Sequence, residues 1–238
     1  MAFTIILKIK SLFRTFFYCN FTNIDTSSVI SMNSMFEKCQ GLFSIDLSNF
    51  DTRKVETMKY MFKGCYLLDF LNISNFYTPV LREMDEMFKL CNSIKYLDIS
   101  KINTSLITNM NMLFYGCDHL TSLDISNFDT KNVKEMGNMF GLCASLISLD
   151  LSSMDTSNVI SMKGMFYMCD NLESINLSNF NTQKVKNMES LFSFCLSLKS
   201  IDLSSFSISN VEILGNMFEN CISLTFLVSK LDISKLVK

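Results

Sequence analysis

Cysteines recur at Cys39, Cys65, Cys91, Cys117, Cys143, Cys169, Cys195 and Cys221, each 26 residues after the last. A Met-Phe or Leu-Phe pair stands four and three residues before each one, from Met35-Phe36 to Met217-Phe218. A fixed period of this size specifies stacked units sharing one elongated core, since one such unit cannot bury its apolar face alone. That overrides the prior of one or two compact domains that 238 residues would otherwise carry.

Leu120 to Cys143, LTSLDISNFDTKNVKEMGNMFGLC, represents the unit, and its two halves obey different rules. Leu120, Leu123 and Ile125 form a period-two apolar core too short for a helix, which suits a strand with one buried face. Asn127 to Thr130 follow as a turn rich in side chains that bond their own backbone. Val133, Met136, Met139, Phe140 and Cys143 then fall within an arc of roughly 120° at about 100° per residue, the width of a core-facing helical stripe. Asp129 or Thr130 is placed to cap such a helix, and Pro79 suits the start of one in its own unit. A 3₁₀ or irregular backbone serves the same burial, because so short a segment is marginal as an isolated helix. The expected fold class is therefore an α/β solenoid, with one parallel β-sheet and short helical segments on the opposite layer.

Residues 1–18 read as a degenerate N-terminal capping unit, with Phe3, Ile6, Ile9, Phe13 and Phe16 on core positions and Lys10 where phenylalanine recurs. Lys8 and Lys10 interrupt its apolar run and no small-residue cleavage site follows, so a secretory signal is not expected. Residues 19–229 form an array of about eight 26-residue repeats, and 230–238 an incomplete terminal unit. That last strand is either a crude cap or an open edge able to pair end to end with another copy.

Chemistry is narrowed mainly by exclusion. With 21 basic against 23 acidic residues, no broad nucleic-acid surface is expected. No apolar run reaches the length of a membrane span. Helical layers packed about 8–10 Å apart would hold equivalent cysteines beyond the roughly 7 Å that a disulfide tolerates, so reduced, buried thiols are expected. Without a CxxC pair, and with His119 the only histidine, no metal site is expected. No GxSxG, HExxH or phosphate-cradling glycine loop points to an enzyme or a cofactor.

The LDLSNFDTSNV…M..MF..C pattern, carried over about residues 19 to 229, resembles the 26-residue repeat of BspA-like leucine-rich repeat surface proteins. The resemblance implies a right-handed leucine-rich-repeat solenoid, a cell-surface or extracellular location, and a role in adhesion or host contact. It carries no catalytic residue.

Candidate binding residues lie on the outward columns of the strands. Asp46, Asn72, Asp98, Asp124, Asp150, Asn176 and Asp202 make one column, flanked by serines. At about 4.8 Å between strands, Asp98, Asp124 and Asp150 would form an acidic ladder, with neighbours repelling by roughly 1 kcal/mol in water. Serines, amides and water satisfy such carboxylates; weak calcium binding is the sharper alternative. In the second column Phe70 and Tyr96 interrupt a row of serines, either as tolerated substitutions or as anchors for a partner. The leading expectation is a non-enzymatic module contacting protein or glycan near Phe70, Tyr96, Asp98, Asp124 and Asp150. The alternative is a purely structural or self-associating solenoid, an intracellular or truncated paralogue in the cytoplasm.

Overall fold

The computed structural model describes residues 18–19, 21 and 24–228. The expected cap at 1–18, apart from Tyr18, and the terminal unit at 230–238 lie outside the described residues. Within them the chain is a solenoid whose apolar residues form one continuous core from Phe21 to Met217.

The strand layer consists of β1 (Tyr18–Cys19), β2 (Ser44–Asp46), β3 (Phe70–Asn72), β4 (Ser148–Asp150), β5 (Ser174–Asn176), β6 (Ser200–Asp202) and β7 (Phe226–Val228). Pairing is parallel and in register by one repeat: Ile45 lies opposite Leu71, and Leu149 opposite Ile175. The strands make three sheets, β1-β2-β3, β4-β5 and β6-β7, which corrects the expectation of a single one. No ladder joins residues 96–98 or 122–124 to their neighbours, and there the inward Leu97 and Leu123 are only partly buried, whereas Leu71 and Leu149 are buried. Burial of the inward residue does not by itself decide the pairing, since Ile175 and Leu227 are also only partly buried and yet lie in β5 and β7.

The opposite layer contains no helix among the described residues, which overturns the α/β expectation. In each coil the residue before the Met-Phe pair and the residue before the cysteine are left-handed, for example Asn138 (φ 50°) and Leu142 (φ 59°). Left-handed residues four apart stop an α-helix from propagating. The amides between them alternate in purpose. Those of Met136, Asn138, Phe140 and Leu142 donate to the next coil, at Ser161 (3.0 Å), Lys163 (2.8 Å), Met165 (2.9 Å) and Tyr167 (2.7 Å) carbonyls. Those of Met139, Gly141 and Cys143 donate three residues back within their own coil, at 3.1–3.3 Å. An α-helix would spend every amide internally; this run of turns spends half on its neighbour. Burial is unchanged: Val133, Met136, Met139, Phe140 and Cys143 all face the core, because turns of three and four residues imitate the helical spacing. Asp129 and Thr130 cap no helix. The Asp129 carboxylate accepts the Lys131 amide at 3.2 Å, and Thr130 is buried against the next coil. Pro79 likewise begins a turn.

With no helices to hold them apart, the coils approach closely. Phenylalanine rings stack from Phe36 to Phe218 in one row, with centroids 5.3–5.8 Å apart. The distance argument against disulfides therefore fails, since this step lies inside the Cα range a bridge tolerates. Cys39 and the seven equivalent thiols are nevertheless free. From Cys65 onward each Sγ–H donates to the carbonyl of a phenylalanine 29 residues earlier, at 3.0–3.3 Å.

Burial pushes the Cys117 and Cys169 thiols up to about 12, while Cys221, half-exposed, rises to about 11. Below an unfolded-state value of about 8.5 these thiols are neutral in both states. Above it the unfolded chain ionises first, so stability falls as pH rises towards the folded values. Brief alkylation of native protein at pH near 8, mapped peptide by peptide, should therefore modify Cys221 before Cys65 to Cys195, which react only once the chain is denatured. Uniform native labelling of all of them would refute their burial.

Candidate functional site

The strand face is built by the alternation inside the three-residue strands, whose middle residue points inward and whose outer two face solvent in β4 and β6, while Ser44 opening β2 is buried. Phe70, opening β3, is 54% exposed, and Tyr96, its counterpart one coil on, is 73% exposed. The equivalent Ser122, Ser148, Ser174 and Ser200 are exposed as well, so the two aromatics stand on an open polar row. A loop covering them, one way to make them structural, is absent among the described residues.

The patch is wider than the strand columns. Phe43 is 50% exposed, and its carbonyl receives the amides of Asp69 (2.9 Å) and Phe70 (3.3 Å), which fixes it beside β3. Tyr66 and Leu67, on the approach to β3, are exposed too. Sequence reasoning missed these three because it searched only the outward strand positions. The signal was there: Tyr66-Leu67 stand where other coils carry Asn92-Ser93, Asp118-His119 and Asp170-Asn171.

Asp98, Asp124 and Asp150 are exposed, but each is occupied by its own coil. Their Oδ1 atoms accept the amides of Ser100 (3.1 Å), Ser126 (2.9 Å) and Ser152 (2.9 Å), and the Ser100 hydroxyl adds a bond of 2.7 Å to Asp98. The Ser100 hydroxyl and then its amide hold Asp98 below the ordinary carboxylate value; for Asp124 and Asp150 the serine amide acts first and the hydroxyl second. Each of the three carboxylates is thus held mainly by the serine two residues on in its own coil. Among the described residues no group of three or more His, Cys, Asp or Glu is placed to hold a metal ion, and none forms a helix long and apolar enough to cross a membrane.

Stacked parallel strands, an inward apolar ladder and outward polar columns define a leucine-rich-repeat-like solenoid, a class of generally non-catalytic scaffold. The chain belongs to the DUF285 family, described as a Mycoplasma protein of unknown function, which matches residues 7–96, 82–174 and 144–238. A leucine-rich repeat protein of T. pallidum is similar in fold, with a TM-score of 0.50 at 22% identity, covering 74% of this chain and 75% of its own. One from Bacteroides ovatus gives a TM-score of 0.42 at 18% identity, covering 84% of this chain and 59% of its own. A leucine rich cell surface protein of Faecalibacterium prausnitzii gives 0.34 at 15% identity, covering 85% and 77%. No curated protein matches the chain. The T. pallidum likeness establishes the fold and nothing finer.

Proposed function

We propose that this chain is a non-enzymatic binding module that receives a protein partner on its strand face. Phe70 and Tyr96 are the anchors, Phe43, Tyr66 and Leu67 widen the apolar contact, and Asp98, Asp124 and Asp150 lie along its polar flank. The observation that carries this reading is the exposure of Phe70 and Tyr96, 54% and 73%, on adjacent coils of a row that holds serine from Ser122 to Ser200 and a single further aromatic, Phe226, at its far end. Solvated aromatics grouped on adjacent coils desolvate favourably against a partner, and aromatic anchors dominate such contacts. Apart from the Tyr66 and Tyr96 hydroxyls the patch is phenyl and leucyl surface, which suits a largely apolar protein contact. The BspA-like character of the repeat supports a cell-surface location and a role in adhesion; protease shaving of intact cells tests it, and a chain wholly protected from shaving argues for the cytoplasm.

The binding role is tested by immobilising the chain and titrating a panel of purified extracellular matrix proteins. The wild type should bind at least one, and Phe70→Ser with Tyr96→Ser should weaken that binding about tenfold or more. Both positions are exposed, so the double variant should melt like the wild type. Undiminished binding by the folded double variant would reject this face as the site.

A further inference from the structure

A second feature lies on the turn layer, well away from the strand face along each coil. It is a groove of about 330 Å³ running along the solenoid axis, lined by Asn109, Asn111, Glu135, Gly137 and Ser161, with Tyr60 towards one end and Lys163 towards the other. Its volume is at the lower end of the range for small-ligand sites. The backbone explains why it opens here. Isolated bridges join Ser31, Thr57 and Glu83 in one run and Asn109, Glu135, Ser161, Asn187 and Ile213 in another, and none joins Glu83 to Asn109. Gly137 then removes a side chain from the column that carries Lys59, Asp85, Asn111 and Lys163 in neighbouring coils. A Cβ there would meet Asn111 Oδ1 at 3.0 Å and the Lys163 carbonyl at 3.5 Å.

The hydrogen-bonding capacity left over in the groove identifies the ligand class. Most charges are already matched: Lys59 with Asp85 at 2.8 Å, Glu86 with Lys63 (2.7 Å) and Lys89 (3.0 Å), and Lys163 with Glu189 at 2.7 Å. Glu135 is the exception. It is half-buried, its carboxylate has no hydrogen bond or ion pair, and burial alone raises its pKa. Around it stand donors. Asn109 Oδ1 accepts the Asn111 amide at 2.9 Å, and Asn111 Oδ1 accepts the Gly137 amide at 2.5 Å. Those bonds fix both side chains and leave their Nδ2 groups free, with the Ser161 hydroxyl on the next coil.

A simple cation would pair with Glu135 and leave the amide donors unmatched. An anion would satisfy the donors but meet an uncompensated carboxylate. A ligand of neutral hydroxyls, each able to donate and accept, satisfies both sets. We propose that this groove binds carbohydrate, with Glu135 accepting from adjacent hydroxyls and the Asn109 and Asn111 amides donating to them. The coil step here, 5.7 Å between the stacked Phe114, Phe140 and Phe166 rings, is close to the length of one pyranose unit. A linear glycan laid along the axis therefore meets one coil per sugar.

The test is calorimetric titration of the full chain with uncharged trisaccharides (β-1,4-glucose, β-1,4-N-acetylglucosamine, α-1,4-glucose and α-mannose), alongside spermidine and inorganic phosphate. At least one trisaccharide should bind, and Glu135→Gln and Asn111→Ala should each weaken it about tenfold or more. The strand-face pair Phe70→Ser with Tyr96→Ser should leave it unchanged, so this proposal and the previous one fail separately. Circular dichroism and melting confirm that each variant is folded. The proposal is overturned by no saccharide binding, by spermidine or phosphate binding more tightly than any sugar, or by saccharide binding indifferent to both groove variants.

Discussion

Replacing Phe140 by alanine should lower the unfolding free energy by about 3–5 kcal/mol and the melting temperature by roughly 6–20 °C for a chain of this length. The ring is fully buried and lies 5.7 Å from Phe114 on one side and 5.7 Å from Phe166 on the other, nearly parallel to both. Its removal leaves a void the neighbours cannot close, because their spacing is held by backbone bonds. The Phe114 amide donates to the Met139 carbonyl at 2.9 Å, and the Phe140 amide to Met165 at 2.9 Å. A cavity that does not collapse carries the full cost of its lost contacts. Phe218 provides the comparison: it is only partly buried and stacks on Phe192 alone at 5.5 Å, so Phe218→Ala should cost less. Urea unfolding of both variants measures the difference, and a loss below about 1 kcal/mol in Phe140→Ala would contradict its burial.

The same row shows how far the sequence could be read. The 26-residue recurrence of cysteine and phenylalanine identifies which side chains face inward, and Val133, Met136, Met139, Phe140 and Cys143 are all buried. Periodicity does not report which backbone delivers them there. A helix and a chain of turns with left-handed residues at Asn138 and Leu142 bury the same five positions. Composition does not separate the two either: glycine occupies left-handed sites at Gly64, Gly116 and Gly164, but lysine, leucine and phenylalanine occupy equivalent ones and hide the signal. Helical layers would set the coils farther apart than the 5.3–5.8 Å between stacked rings, so the free thiols are not a consequence of distance. On the strand face, Phe70 and Tyr96 are legible because they break a strand column, whereas Phe43, Tyr66 and Leu67 break the same 26-residue period just before the strand, outside the strict two-residue alternation. The turn-face groove was beyond reach for a related reason. Gly137 and Glu135 acquire meaning only once Asn109, Asn111 and Ser161 are known to lie one coil to either side.

Replacing Thr156 by valine should cost about 2–4 kcal/mol although the two side chains have nearly the same shape. The hydroxyl is fully buried and fastens one coil to the next in both directions. Oγ1 donates to the Asn181 carbonyl at 3.1 Å and accepts the Asn181 amide at 2.8 Å. Valine preserves the apolar packing but leaves the Asn181 amide and carbonyl facing a buried methyl group instead of a hydroxyl, and each such loss costs about 1–3 kcal/mol. The arrangement recurs with both bonds at Thr26 with Asp51 and at Thr182 with Ser207, so these threonines connect coils as the phenylalanines do, by polar rather than apolar contact. Thr156→Ser separates the two contributions. Serine keeps the hydroxyl and loses only a methyl group, so its loss should be about 1 kcal/mol, well short of that of valine. If urea unfolding instead ranks serine as the more damaging change, the buried methyl outweighs the hydroxyl, and packing alone holds successive coils together at this position.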